Sequence, residues 1–234
     1  MPTAGRPEFV AQSLLSFERQ TYTNAELIVV DSGLHPVGDL CRRFHRVRHI
    51  DVVRSTSLGE KLNVGVAASE GAIIQKWDDD DYHHPDFLRT AVQTLRSQAV
   101  SRPAAVVWDC FLVLLAGERF LRHSGCGWRT GATLCFDRQL WNTQPFRPLQ
   151  RSEDSRFVAD HASRVVSICA PESYIVVRHG RNTWTSMEDR SDVDEYFWSL
   201  PPYPKRIEDV VVPEQASFYR SLTAEPWHSW SQQF

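Results

Sequence analysis

What this chain has little of already removes several classes. No apolar stretch in its 234 residues approaches the length of a membrane span, and the N-terminus carries no signal-peptide pattern. Charge is not skewed: the formal net charge of -3 exerts no long-range pull toward nucleic acid or an anionic membrane. The five cysteines, Cys41, Cys110, Cys126, Cys135 and Cys169, form no CxxC pair. An odd count without metal-ligand spacing reads as reduced thiols packed as small buried hydrophobes. Together these point to a cytoplasmic protein, with peripheral attachment to a membrane left open. There is no internal repeat and no low-complexity linker, so a single domain is expected. An opening strand is missing too. "MPTAGRPEF" crowds Pro2, Gly5 and Pro7 into a turn signal with nothing apolar ahead of it, so the first strand is expected to be absent or a stub.

What remains is an ordinary globular composition, 42% hydrophobic and 24% charged, sufficient for a full core. Residues 7–20 read as a helix, with Pro7 in its first turn, Glu8 at the positive end of its dipole, and Val10, Leu14 and Phe17 at helical spacing. "AELIVVDSG" reads as a short buried strand, "GDLCRRFHRV" as a helix and "HIDVVRS" as a strand. "GEKLNVGVAASEG" is expected as a helix stopped by Gly71, and "AIIQKW" as the strand after it. "PDFLRTAVQTLRSQ" is helical, and "AAVVWDCFLVLL" is strand-like with a hairpin near Gly117. Strands alternating with helices predict an α/β fold: a mostly parallel sheet with helices on both faces. Further on, "SEDSRFVADHAS" reads as a helix with Ser152 as N-cap, and "SYIVVRHG" as a strand ending at His179. Residues 1–190 are expected as the domain, in two halves that divide between about 110 and 111. Residues 191–234, rich in Trp, Tyr and Pro, are expected as a wrapping tail that includes Trp227 and Trp230.

The most informative stretch is "AIIQKWDDDDYHHPDF", where Asp78, Asp79, Asp80 and Asp81 follow a buried strand. In parallel sheets, ligands bind outside the carboxyl ends of the strands, and Asp31 after "LIVV" lies at another such end. Two carboxylates ~4 Å apart repel by ~4 kcal/mol at an effective dielectric near 20. Several in one cleft need raised pKa values or a cation. Oxygen ligands suit Mg²⁺ or Mn²⁺, which typically share their shell with substrate phosphates. In an extended segment Asp78 and Asp80 point to one side, Asp79 and Asp81 to the other. The alternative is a solvated acidic loop capping the next helix; the buried strand ahead favours the metal. His83 and His84 read as loop residues lining the cleft.

These pieces resemble the family 2 glycosyltransferases of GT-A fold, a Rossmann-like architecture. The matching blocks are "MPTAGRPEFV", "QTYTNAELIVVDSG", "GEKLNVGVAASEGAIIQKWDDDDYHHPDFL", "GATLCFDRQLW" and "SEDSRF", in the family's order over roughly residues 1 to 160. The resemblance implies transfer of a sugar, with inversion and with Mn²⁺ or Mg²⁺, from a nucleotide-diphosphate donor such as a UDP-sugar. The acceptor would be a carbohydrate, a lipid-linked group or a protein. Residue by residue it implies that Thr3 meets the nucleotide and that Asp31 lies in the base- and ribose-binding turn, where the usual second acid is Ser32. Lys61 would lie near base or phosphate, with Leu62 where an arginine is often found. Asp80 takes the metal, Asp78 and Asp79 contact ribose or sugar, and Asp154 is the catalytic base.

Other positions keep two readings. His179 is a third metal ligand or a packing histidine. Glu153 binds the acceptor or tunes Asp154, or is a helix-dipole carboxylate. Trp128, in "GCGWRTGATL", stacks on a sugar or packs in the core. The competing reading of the whole is a nucleotide-sugar-binding protein of the same fold that has lost catalysis.

Overall fold

The structure, a computed structural model, describes residues 1–34, 37–98, 103–185 and 193–222. The chain opens with the strand β1 (Pro2–Thr3), a stub of two residues, and the helix α1 (Pro7–Glu18). Pro7 occupies the first helical turn, where its missing N–H costs nothing, and Phe9, Val10, Leu14 and Phe17 form the buried stripe. β2 (Leu27–Asp31), α2 (Gly38–Cys41) and β3 (Val47–Asp51) follow. The longer helix expected over 38–47 is therefore a single turn, and the next strand starts at Val47.

α3 (Leu58–Ala68) begins with a reciprocal capping box between Ser57 and Glu60. It stops three residues short of Gly71. Ser69 turns extended, its N–H still bonded to Gly65 and Val66, and Arg138 donates to the carbonyls of Ser69 and Gly71. The stop therefore comes from a side chain distant in sequence as well as from the glycine.

Next come β4 (Ile73–Gln75), β5 (Tyr82–His83), α4 (Phe87–Gln98), β6 (Ala105–Trp108), β7 (Leu112–Leu115), β8 (Phe120–His123), β9 (Thr130–Asp137), α5 (Arg138–Thr143) and α6 (Glu153–Asp160). β10 (Val165–Ile168), β11 (Tyr174–Arg178), α7 (Val193–Ser199), β12 (Pro202–Arg206), α8 (Ile207–Val210) and α9 (Pro213–Ser221) complete the described chain.

The α/β class holds, with a division. β1, β2 and β3 form a wholly parallel sheet. The others run β10-β6-β9-β4 and β12-β8-β7-β11-β5, each with one parallel pair, β10–β6 and β7–β11, among antiparallel ones. Of the mostly parallel sheet expected, β1–β3 are wholly parallel, and the other two sheets are mixed. Hairpins such as β7–β8, turning at Gly117 with φ +89°, bring in antiparallel strands. Helices cover both faces. In β6, Ala105 and Val107 join one apolar cluster with α3, α5 and α6, while Val106 and Trp108 join the other with α1 and α4. A strand buried on both sides shows no polar alternation, which is why it reads as a continuous apolar run.

β1 pairs with β2 alone, the Val30 N–H donating to the Met1 carbonyl at 2.9 Å. In line with the stub, β2 and β4 border a cavity of about 740 Å³ lined by Phe17, Leu27, Ile28, Ile73, Gln75 and Val66.

The segment expected as a wrapping tail folds back into the sheet: β12 pairs with β8, and Tyr219 of α9 meets Tyr82 edge to face. Trp227 and Trp230 lie outside the described residues. Cys41, Cys110 and Cys135 are buried as expected, but Cys126 and Cys169 are exposed. No helix among the described residues is long and apolar enough to cross a membrane.

Candidate active site

The aspartate run is anchored from below. After β4 the chain buries Lys76 and Trp77; the indole donates to Ser13 Oγ at 2.7 Å and stacks on His83 with centroids 3.8 Å apart. His83, expected on the cleft wall, is instead fully inside, and burial pulls its pKa down to about 3. Its place on β5, opposite Tyr174 of β11, turns the ring into the core. His84 accepts from the Asp86 N–H and caps the turn into α4.

The four aspartates do not alternate. The backbone over 79–81 is bent rather than extended, so each carboxylate leaves in its own direction. Asp78 receives Lys76 Nζ at 2.8 and 2.6 Å. Asp79 receives the Thr3 hydroxyl at 2.6 Å and one arm of the Arg6 guanidinium. Asp80 receives the other arm of Arg6 at 2.6 Å, with His179 Nε2 and Asn182 Nδ2 each at 3.2 Å from the same oxygen. Asp81 turns inward to the Tyr174 hydroxyl and the Val177 N–H.

Electrostatics separates them further. Burial, partly offset by Arg6, raises Asp79 to about 6. Burial works the same way on Asp80, but Arg6 and the His179 hydrogen bond overcome it and hold this carboxyl below the usual range. Asp81 is raised by burial and then by its acidic neighbours, and is held as a hydrogen-bonded core group. Of these identical residues, Asp80 is strongly ionised, Asp79 is raised to about 6, and Asp81, still at the border of the cleft, is hydrogen-bonded into the core.

The other wall is α6. Ser152 stands at its N-cap position but makes no side-chain cap; its φ of +61° lies in the left-handed region instead. Asp154 points at the run: its Oδ2 lies 3.2 Å from Lys76 Nζ, and its Oδ1 accepts the Ser155 N–H at 2.6 Å. Lys76 thus links Asp78 to Asp154. Burial opposes its charge, but Asp78, then Asp154 and Glu153, raise its pKa, so it stays protonated. Glu153 is 2% exposed; burial, then Asp154, pushes it up to about 8. Held up to about 8, this carboxyl is not the ionised helix-dipole partner of the other reading. Gly131 of β9 lies so close that a Cβ there would sit 2.8 Å from the Asp154 carboxyl carbon.

Thr3, Arg6, Lys61, Lys76, Asp78, Asp79, Asp80, Trp128, Glu153 and Asp154 all border one cleft of about 780 Å³. Lys61 donates to the Thr3 carbonyl at 3.1 Å. His179 is buried, stacked on Phe9 with centroids 4.2 Å apart, and presents Nε2 to Asp80. The ring of Trp128 packs against Phe111, Phe197 and Tyr196, and the residue borders the cleft.

Asp31 departs from expectation. It is 1% exposed, and its two oxygens accept the N–H groups of Gly33 at 2.7 Å and Val37 at 3.0 Å. It is spent on shaping its own turn and is not among the residues bordering the cleft. Arg6, Lys76 and Asn182 were not anticipated. Lys76 had a signal, being two residues before Asp78 on the same side of an extended segment. Arg6 and Asn182 had none, because each meets Asp80 from a distant part of the chain.

The family model described as glycosyl transferase family 2 matches residues 1–142. Among solved structures, TarS 1-349 of S. aureus in complex with UDP is similar at TM-score 0.62 and 17% identity, over 75% of this chain and 58% of that one. The same protein in complex with UDP-GlcNAc gives TM-score 0.61 and 17% identity, over 76% and 57%. The mannosyltransferase PcManGT of Pyrobaculum calidifontis, in complex with GDP-Man and Mn²⁺, gives 0.57 and 18%, over 76% and 55%. The chain therefore spans a little over half the length of these structures, and at such identities the likeness is one of fold. No curated protein matches it by sequence.

Proposed function

The chain belongs to glycosyl transferase family 2, and from that premise we propose that it moves a sugar from a nucleotide-diphosphate donor, a UDP-sugar, to an acceptor hydroxyl with inversion. The observation that carries this reading is that the aspartate run and Asp154, far apart in sequence, face one cleft and share Lys76.

Asp154 takes the proton of the acceptor hydroxyl as its oxygen attacks the anomeric carbon. The new oxygen–carbon bond forms on the face opposite the bond to phosphate, whose electron pair leaves with the diphosphate. Asp78 and Asp79 orient ribose and sugar, Thr3 and Lys61 border the nucleotide, and Arg6 offers positive charge to the phosphates. Lys76 holds Asp154 in position. Glu153, neutral at its side, adds no second negative charge.

The donor set also fits a divalent cation. The Asp80 oxygen and the His179 imidazole nitrogen lie 3.2 Å apart, a hard oxygen and a borderline nitrogen of the kind Mn²⁺ or Mg²⁺ accepts alongside phosphate oxygens. Bound there, the ion would offset negative charge on the departing diphosphate. It would compete with Arg6, which holds the same Asp80 oxygen.

The test is calorimetry of the chain against UDP with and without Mn²⁺. We expect affinity to rise at least tenfold with the metal, and Asp80→Asn to erase that difference. Equal affinity with and without Mn²⁺ in the wild type would remove the metal. A folded chain that binds no nucleotide diphosphate would remove the donor site. Nucleotide binding with no transfer to any acceptor would leave the binding-protein reading standing.

A further inference from the structure

Three of the five cysteines meet at one point. Cys110 follows β6, Cys169 follows β10, and the parallel register Ile168↔Trp108 sets these strand ends side by side. The Asp109 N–H donates to the Ile168 carbonyl at 3.1 Å, continuing the ladder to the residue before Cys110. Cys126 arrives from elsewhere, on the turn Gly125-Cys126-Gly127. Both glycines have positive φ, +78° and +92°, a conformation that a side chain would strain. The turn is fastened on either side of Cys110. Ser124 accepts the Phe111 N–H on its Oγ at 2.9 Å, and the Trp128 N–H donates to the Asp109 carbonyl at 2.9 Å. The sulfurs of Cys110 and Cys169 end 3.5 Å apart, and all three sulfurs lie within 4.8 Å of one another.

We infer that Cys110, Cys126 and Cys169 form a binding site for a soft divalent metal, of which zinc is the type. Geometry carries this. With Zn–S bonds of ~2.3 Å, the sulfurs of a tetrahedral site lie ~3.8 Å apart. The observed spacing brackets that edge length for three sulfurs at once. A disulfide would draw two together and leave the third without a role. Chemistry agrees. Three thiol sulfurs converging from separate parts of the chain present one soft donor set. A cation bound there takes the sulfurs as thiolates and releases their protons. Cys126 and Cys169 are exposed, so a fourth ligand can come from solvent on their side.

The site is separate from Asp80 and His179 and does not depend on the transferase reading. It has a consequence for the cleft, however. It ties the turn leading into Trp128 and Arg129, which border the cleft, to the ends of two core strands. The metal is a clasp on that wall.

The test uses the full chain, reduced and stripped of metal, titrated with Co²⁺ and followed by absorption. We expect one equivalent to give thiolate-to-cobalt charge transfer, to be displaced by Zn²⁺, and to be unaffected by Asp80→Asn. Cys126→Ser and Cys169→Ser change exposed residues and keep the fold; each should weaken binding at least ~100-fold, since even outer-shell partners are worth 10–100-fold. Zn²⁺ should raise the Tm of the wild type and not of Cys126→Ser. Three results would overturn the site: no charge-transfer band, equal affinity in Cys126→Ser, or air oxidation to a Cys110–Cys169 disulfide in a chain that never binds Co²⁺.

Discussion

On either side of the aspartate run a single cation is shared between two carboxylates, but the two arrangements differ in how firmly the cation is held. On one flank Arg6 spans Asp79 and Asp80, joined by Thr3, His179 and Asn182. Arg6 sits on the loop between β1 and α1, and its side chain keeps 16% of its exposure. On the other flank Lys76 spans Asp78 and Asp154, with Glu153 close by; its side chain is 3% exposed and continues the line of β4. An arginine on a loop can yield an oxygen to an incoming ion or phosphate. A lysine locked in a strand extension cannot. On the proposed reading, the flank that would exchange ligands is the adjustable one, and the flank that would hold the base is the rigid one.

Four substitutions can break or sharpen that comparison. The largest effect belongs to the rigid flank: Asp154→Asn should lower turnover by ~10²–10⁴-fold while UDP affinity stays unchanged. Near-normal turnover would take the base away from this residue. On the adjustable flank, Arg6→Ala leaves Asp79 and Asp80 facing each other without a cation. It should cost about 3 kcal/mol of stability in metal-free buffer, and Mn²⁺ should restore more stability to this variant than to the wild type. Equal Mn²⁺ shifts in the two melting curves would show that arginine and metal do not share Asp80.

Gly131→Ala tests rigidity itself. The added methyl must displace Asp154, so kcat should fall about 10²-fold, with KM for the donor nearly unchanged. A wild-type kcat would mean that the acid tolerates being moved. The smallest effect is expected at Glu153. Its folded pKa of about 8 stands above the ordinary 4.5, so between these values the folded chain binds more protons than the unfolded one. Its contribution to stability is complete below the lower value and is lost as pH rises through the upper. Relative to Glu153→Gln, the wild type should lose on the order of 2 kcal/mol between pH 6 and pH 9. Parallel stability–pH curves would show that Glu153 is not held neutral.

Much of the frame was legible. α1, β2, α3 and α4 were each placed from local signals such as Pro7 at a first turn and the short apolar run of "ELIVV". The acid run after β4 and Asp154 in the first turn of α6 were visible as residue types at strand and helix ends. Where the reading erred, the cause was non-local. The helix expected over 38–47 lasts one turn because Val47–Asp51 is claimed by pairing with β2. Asp31 looked like a free strand-end acid, but the loop that follows supplies two N–H groups to it. His83 looked like a loop residue until β11 closed over it. The spacing of the cysteines gave no hint of a site, because spacing records proximity along the chain, and β6, β10 and the 124–128 turn meet only in three dimensions.

By itself, then, the sequence determined the order of the elements, the burial of their apolar faces and the placing of acids at the ends of β4 and at the start of α6. Propensity, capping and periodicity act within a few residues, and those features need no more. Tertiary structure decided which aspartate met which partner, that one arginine would face two of them, that Lys76 would reach Asp154, and that three thiols would share a point. Each of these depends on where strand ends fall relative to one another across the sheets, a relation settled by packing over distances that no local signal spans.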